Sequence, residues 1–464
     1  MVSASAGCLL IIWLLPSIGL AARSMTAAIT ATPAVAPPST KFTLIGHGFG
    51  PSEVVDLAFD TAVLKTATAD SGGVFSATIR VPASARPGSH VVMARGESSG
   101  TKATTTFTVR TDWPKAHFDL ANTGYNPYEN TLSPSTVSGL IVKWAIPTLG
   151  SALGDIAVVS GVAYASTGVT GDGYAYTYAI DARTGRVLWR HDVRDGLDAM
   201  GLAVSHGRVF VSILGCHCMQ ALDAKTGDLL WIFYGPTDVP TVADEIVYVG
   251  SDIGYFYAID ARNGRQRWRI YLGDGVFDAA AVVGGILYAG SQTNDLYAID
   301  RETGGIVWTF TTGNDIVGSP SVNGDIVYVG SWDEHLYAVS AKHGDLMWTK
   351  ATNKTIGDSP TVADGVVYVG SEDHRMYAFD AETGSSLWAT RTNNEIVGQS
   401  AALANGVLYG ANNAGTVFAL DAATGRSLWR YRTGLAISTD VTLADGVVYV
   451  GSQDHHLYAF ALPN

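Results

Sequence analysis

Short runs in which apolar and polar positions alternate, each closed by Gly, Asn or Asp, fill most of this chain, and from about residue 139 onward they recur with a fixed period. Alternation with period two marks half-buried strands, and the Gly/Asn/Asp punctuation marks tight antiparallel hairpins. Residues 319–338 (SPSVNGDIVYVGSWDEHLYA) and 359–378 (SPTVADGVVYVGSEDHRMYA) are two copies of one unit. Each is followed by Ala-x-Asp-x-x-Thr-Gly-x-x-x-Trp or a close variant, which sets tryptophans at Trp189, Trp231, Trp268, Trp308, Trp348, Trp388 and Trp429, 37 to 42 residues apart. A β-rich repeat of about 40 residues is the signature of a propeller with four-stranded blades. In the sixth blade the pattern predicts strands over 359–363, 366–371, 375–380 and 386–390.

Each residue of the motif has a physical task. In the turn from Asp380 to Gly384 the carboxylate can accept backbone N–H groups, and Gly384 can take the positive φ that other residues resist. The Trp four residues on can lie flat between neighbouring blades. Blade five has Ser340 in place of Asp and His343 in place of Thr, so a looser turn is expected there. After Trp429 the chain carries three more strands and stops without another Thr-Gly turn or Trp. The missing strand is predicted upstream, where GLIVKWAIPT (139–148) places Trp144 in an outer-strand setting. Pairing 137–148 with 441–464 would close an all-β, eight-bladed propeller over 137–464 and leave no open sheet edge.

Ahead of the repeats, 23–110 shows about seven short alternating strands with Gly/Pro/Asp turns, which reads as a small β-sandwich. Residues 111–136 join the two and are aromatic and polar without periodicity; they are expected to pack on the ring. The run CLLIIWLLPSIGLAA (8–22) is too short to span a bilayer comfortably and ends in small residues, so 1–22 reads as a secretory signal and the protein as secreted, periplasmic or surface-bound. Its lack of Lys or Arg departs from the usual pattern, and an uncleaved anchor is the alternative.

The chain has 29 basic and 42 acidic residues, a formal charge of −13, which disfavours nucleic acid and anionic membranes as partners and favours cationic or neutral ones. One carboxylate stands near the start of each inner strand: Asp155, Asp198, Asp238, Asp278, Asp315, Asp358, Glu395 and Asp440. They could form an acidic collar at one channel mouth, holding a cation such as Ca²⁺ or a basic peptide; the alternative is a set of solvated turn residues. Asp155 and Asp440 fall one position later in the repeat than Asp238, Asp278 and Asp358. Cys216 and Cys218, the two cysteines beyond the leader, suit a disulfide better than a metal site, because in an extended Cys-His-Cys both sulfurs share one face and His217 points away. His335, His374, His455 and His456 sit at equivalent hairpin tips, where exposed turn residues are expected rather than a shared metal.

The tryptophan motif resembles the docking repeat of pyrroloquinoline-quinone (PQQ) enzyme propellers and of their non-enzymatic relatives of the BamB type, over about 139–464. The segment W-P-x-x-x-F-D-x-x-x-T-G-Y, starting at Trp113, resembles the lead-in of such propellers. GHGFGPSEVVDLAFD and ASARPGSHVVMARG resemble the IPT/TIG-like immunoglobulin modules of secreted bacterial proteins. The resemblance specifies fold more than function. It implies either a binding or scaffold protein for a protein or polymer partner, acting as a monomer without a cofactor, or a PQQ- and Ca²⁺-dependent dehydrogenase of alcohols or sugars. A polysaccharide-binding propeller, with Tyr255 and Trp332 at hairpin tips, is a third possibility. Blades without long insertions favour the binding protein, since no Ca²⁺ ligands or catalytic Asp can be assigned by motif. PQQ enzymes carry a disulfide between adjacent cysteines, whereas here a residue intervenes.

Overall fold

In the computed structural model the described residues are 26–151, 154–168, 174–194, 199–214, 216–235, 237–392 and 400–463. The leader 1–22, Asp198 and Glu395 lie outside them. The chain divides into two compact units, the smaller built on residues up to 107 and the larger holding everything from 108 on, together with 35–40 and 80–89. No helix among the described residues is long and apolar enough to cross a membrane.

The smaller unit centres on a three-stranded sheet of Ala28–Thr32, Lys41–His47 and Phe75–Arg80. A five-stranded sheet includes Val54–Phe59, Ala62–Thr68, Gly88–Gly96 and Lys102–Val109. The alternating pattern drives their inward faces together, and Phe42, Leu44, Val55, Leu57, Val92 and Phe107 are buried. The rings of Phe42 and Phe107 stand 4.5 Å apart.

The repeats form eight four-stranded antiparallel sheets, counted among the described residues. The sixth runs Thr361–Ala363, Val366–Ser371, Arg375–Asp380 and Ser386–Arg391 from the axis outward. Its innermost strand is fully buried while its outer strand alternates between exposed and half-buried, as a strand with one wet face must. The last sheet takes Thr442–Ala444, Val447–Ser452 and His456–Ala461 from the C-terminal end and Ile141–Pro147 as its outer strand. The register pairs Ala459 with Trp144. In each of the other seven sheets the corresponding pair is an Ala and the docking Trp, as with Ala378 and Trp388.

At several interfaces between sheets one carbonyl accepts two side-chain hydrogen bonds. The indole N–H of Trp348 donates to Ala381 O at 3.0 Å, and the buried Tyr328 hydroxyl donates to the same oxygen at 2.9 Å. The pairs Tyr288/Trp308 on Ala341 O and Tyr368/Trp388 on Ala422 O repeat the arrangement, using both lone pairs of one carbonyl. The motif glycine lies under the preceding ring: a Cβ on Gly384 would stand 2.7 Å from the Trp348 indole. Its φ of 69° is the left-handed conformation the turn demands. In that turn Asp380 Oδ1 accepts from the Thr383 amide and hydroxyl at 2.8 and 2.7 Å. In the fifth sheet's turn Gly344 N–H still donates to Ser340 O at 2.9 Å, but a single 3.3 Å bond from His343 N–H to Ser340 Oγ replaces the carboxylate pair. The turn keeps its shape with fewer side-chain bonds.

Candidate functional site

The lead-in segment runs once round the inside of the ring. Trp113 exchanges two 2.7 Å backbone bonds with Val158 of the first sheet, and Pro114 O accepts from Val204 of the second at 2.9 Å. Leu120, Ala121, Thr123 and Gly124 carbonyls then accept from Val282, Val322, Val362 and Leu403 on the fourth to seventh sheets at 2.6–2.8 Å. Asn126 Nδ2 reaches Leu443 O of the eighth at 3.0 Å. Gly124 is required by this close approach, since a Cβ there would stand 2.8 Å from Thr361 Oγ1. His117, Phe118 and Asn122 take φ of 58°, 73° and 55°. Left-handed conformations at bulky residues are held only where surrounding contacts over-determine them, and they concentrate at functional sites.

The belt carries Lys115 and His117 to the axis. His117 is 3% exposed. Its Nε2 lies 3.3 Å from Asp278 Oδ1 and its Nδ1 3.2 Å from Asp440 Oδ2. Ser359 Oγ stands 3.4 Å from Nε2 and donates to Asp278 Oδ2 at 2.9 Å. Burial alone would lower the His117 pKa, but the carboxylates of Asp278 and Asp440 raise it above its ordinary value. Each ring nitrogen thus faces a carboxyl oxygen, an arrangement that favours the protonated ring. Lys115, also buried, donates to Ala116 O, Asp119 O and Asn122 Oδ1 at 2.6, 3.0 and 2.5 Å. Burial depresses it to about 8, against the pull of Asp119 and Asp278.

Above His117 opens a cup of about 250 Å³, lined by Asp155, Asp238, Asp278 and Asp440 with Val239, Phe277 and Val317 in the wall. Asp238 is pushed up to about 7 by burial and by Asp278. Burial, then repulsion from Asp278, raises Asp155. Burial also raises Asp440, although His117 partly offsets it. Asp278 goes the other way: burial is outweighed by His117 and by hydrogen bonds from the Ala279 amide and Ser359 hydroxyl, which hold it ionised.

Four of the expected collar residues therefore converge, and Asp238 and Asp440, at 5% and 9% exposure, are not solvated turn residues. Asp358 is buried but does not line the cup, and Asp315 sits in a loop whose carbonyl accepts from Trp332 N–H at 2.9 Å. Cys216 and Cys218 form a disulfide at a hairpin of the second sheet, away from the cup's lining. His335 and His456 bond the backbone of their own hairpins, through Asp333 O and Asp454 O at 2.8 and 2.9 Å. No three His, Cys, Asp or Glu among the described residues stand close enough to share a metal ion. Sequence reading missed Lys115 and His117; the available signal was their place inside the lead-in motif after Trp113.

The family model described as outer membrane protein assembly factor BamB matches residues 142–274, 254–356, 318–402 and 393–462. A macroglobulin-like domain matches 24–109, which refines the immunoglobulin-type reading of the N-terminal unit. Quinohemoprotein alcohol dehydrogenase ADH-IIG of Pseudomonas putida is 32% identical over 142 residues, 24% of this chain and 20% of that protein. The quinohemoprotein alcohol dehydrogenase of Comamonas testosteroni is 33% identical over 192 residues, 35% of this chain and 26% of that protein. The chain thus matches about a quarter or less of these relatives' length. BamB of Moraxella catarrhalis shares the fold, with a TM-score of 0.59 at 18% identity over 69% of this chain and 99% of that one. The sequence relatives weigh toward the oxidoreductase alternative rather than the scaffold reading.

PQQ, which the repeat's resemblance implies together with Ca²⁺, is a flat tricarboxylate. The cup does not fit it: the wall presents carboxylates, the two cations nearby are committed to protein partners, and among the described residues no three His, Cys, Asp or Glu side chains are grouped to hold a metal ion.

Proposed function

We propose, from the premise that this chain belongs to the PQQ-repeat family of outer membrane protein assembly factor BamB, that it is an extracytoplasmic binding protein whose ligand enters the cup above His117. The observation that carries this reading is the bracketing of His117 between Asp278 and Asp440, beneath a mouth walled by further carboxylates. Such a mouth attracts a cationic group, on a small molecule or on a protein or polysaccharide partner, and repels an anionic quinone. The leader expected at 1–22 supports export.

A second reading, a PQQ- and Ca²⁺-dependent dehydrogenase of alcohols, rests on the quinohemoprotein relatives. Titration with PQQ, with and without Ca²⁺, followed by a dye-linked alcohol oxidation assay, separates the two. The binding-protein reading expects neither stoichiometric quinone nor turnover. One PQQ retained per chain with alcohol-dependent dye reduction would replace it with the enzyme.

A further inference from the structure

The interface between the eighth and first sheets departs from its copies in two places. Tyr164, Tyr248, Tyr288, Tyr328 and Tyr368 each donate the hydroxyl to a carbonyl in the next sheet's motif turn, at 2.9–3.4 Å. Tyr449 holds the same repeat position, and its ring lies 5.8 Å from Trp144 much as that of Tyr328 lies 5.9 Å from Trp348. Here, however, Ala182 O takes the Trp144 indole N–H at 3.1 Å, and the Tyr449 hydroxyl has no hydrogen-bond partner among the described residues, although Tyr449 is only 1% exposed. The second departure is Lys143, which stands at the bulge of the closing strand between Val142 and Trp144, the partners of Phe460 and Ala459. Val307, Met347 and Leu387 fill that place in the fourth, fifth and sixth sheets. Tyr449 and Lys143 both line one pocket of about 300 Å³, together with Arg110, Arg183, Asp445 and Gly161, and every residue lining it belongs to the larger unit.

We propose that this pocket binds the phosphate group of a phosphate monoester, its oxygens held by Arg110, Lys143 and Arg183 and by the Tyr449 hydroxyl. The pocket shares no lining residue with the cup above His117, and its ligand is independent of the one that enters there. Charge is the first reason. In a chain of formal charge −13, Arg190, Arg262, Arg267 and Arg301 each make a salt bridge, whereas Arg110, Lys143 and Arg183 make none among the described residues. Asp445 is the one carboxylate in the wall, and its Oδ1 already accepts from the Thr111 amide at 2.7 Å and hydroxyl at 3.4 Å. Three cations against one carboxylate leave two positive charges, which a phosphate monoester, at about −1.5 to −2 near pH 7, neutralises. Burial lowers the Lys143 pKa, Asp445 raises it and Arg183 lowers it again. The two rim cations thus repel each other, and an anion between them relieves the repulsion.

The phenol is the second reason and is independent of charge. Hydroxyls on buried side chains nearly always find a partner, and the five sister tyrosines find theirs in the docking carbonyl. Tyr449 lines the pocket instead, where a phosphate oxygen can accept from it in a charge-assisted bond.

The third reason is shape and size. The Arg110 guanidinium reaches the Gly161 turn, where a Cβ would stand 3.7 Å from Nη2. Its planar fork matches two oxygens of one phosphate, while the point charges of Lys143 and the phenol of Tyr449 serve the others. At about 300 Å³ the pocket lies at the lower end of the usual range of small-molecule sites, which suits a phosphate with a short ester chain.

The test is calorimetric titration of the full chain with glycerol 3-phosphate at about pH 7.5, where the ester is doubly charged, and at low salt. Expected are one saturable site with Kd below about 1 mM, and binding of methyl sulfate, which has the same tetrahedral shape and one charge, weaker by roughly fivefold or more. Arg110→Gln should weaken glycerol 3-phosphate binding roughly tenfold. Tyr449→Phe should weaken it roughly threefold without lowering the melting temperature, because the hydroxyl has no protein partner to lose; a ring that only packs would leave affinity unchanged. Arg183→Gln, on the exposed rim, should weaken binding roughly twofold and keeps the test decisive should the Arg110 variant fail to fold. Phosphatidylcholine vesicles with and without phosphatidic acid identify the source of the phosphate. Sedimentation with the phosphatidic acid vesicles, weakened by Tyr449→Phe, assigns it to a lipid headgroup, and saturable glycerol 3-phosphate binding without sedimentation assigns it to a soluble ester. The proposal is overturned by no saturable heat up to about 10 mM in folded protein, by unchanged affinity in folded Tyr449→Phe, Arg110→Gln or Arg183→Gln, by a lower melting temperature in Tyr449→Phe, or by equal affinity for methyl sulfate.

Discussion

The Trp429 indole N–H donates to Leu140 O at 3.0 Å, closing the ring through a residue that belongs to no Asp-x-x-Thr-Gly turn. At the Trp308, Trp348 and Trp388 interfaces the acceptor carbonyl follows the motif Asp, or Ser340 in its place, and also receives a buried tyrosine hydroxyl. At the closing seam the matching hydroxyl, on Tyr409, is buried and has no hydrogen-bond partner. The seam keeps the indole bond and loses the phenol bond.

Tyr328→Phe and Tyr409→Phe should therefore differ in sign. Removing the Tyr328 hydroxyl deletes a 2.9 Å bond to Ala381 O and should cost about 1 kcal/mol. Removing the Tyr409 hydroxyl relieves an unsatisfied buried donor and should be neutral or stabilising by about 1 kcal/mol. Urea denaturation of both variants measures the difference. Equal destabilisation would mean the Tyr409 hydroxyl is satisfied in solution.

Two glycines with the same backbone conformation separate turn strain from interface packing. Gly365 has φ 77° and open space where a Cβ would go, whereas Gly384 has φ 69° and the Trp348 ring 2.7 Å away. Gly365→Ala should cost about 1 kcal/mol from backbone strain alone. Gly384→Ala should cost about 1–3 kcal/mol more, the usual penalty for overpacking. The difference in denaturation midpoint at constant slope reads the docking contact directly.

The repeated sheets were legible because each copy of the motif solves a local problem. Asp380, Thr383 and Gly384 settle one turn among themselves, and Trp388 needs only the next copy. Even the closing strand around Trp144 carries the outer-strand pattern. The site is different in kind. His117 comes from a segment without periodicity, and its partners Asp278 and Ser359 lie 161 and 242 residues away. Neither hydrophobic pattern nor turn chemistry points across such distances. The repeat register places Asp238, Asp278 and Asp358 at one level and Asp155 and Asp440 at the next, but only the geometry shows that Asp358, which shares that register, stays out of the cup.

Lys115 anchors the belt. Lys115→Met keeps the side chain's length but strips three donors from Ala116 O, Asp119 O and the buried Asn122 amide, which in turn bonds Ala279 O and Pro320 O. Leaving such acceptors unsatisfied should cost about 2–4 kcal/mol. Hydrogen exchange should show new opening at Val282, Val322 and Val362, whose amides donate to the belt, while the outer strands stay protected. Uniform loss of protection would mean the belt and the sheets unfold as one unit.

The same cluster sets the pH dependence of stability. Asp238, raised in the folded chain to about 7, binds a proton there that the unfolded chain has already released above its ordinary value of 3.8. Asp155, Asp440 and His117 are shifted in the same direction. The stabilisation these groups supply is complete below about pH 4 for the carboxylates and is lost as pH rises through their folded values. Asp278, shifted down, contributes the opposite slope only below about pH 4, and Lys115 only above about 8. Between about pH 5 and pH 8 the melting temperature should fall. Each proton retained only by the folded state contributes about 1.4 kcal/mol per pH unit. Asp238→Asn should flatten that slope while raising stability at about pH 8 relative to the parent, because the amide carries no charge to bury. Thermal melts of both proteins across this range check the prediction, and parallel curves would remove Asp238 from the set of groups that hold protons in the cup.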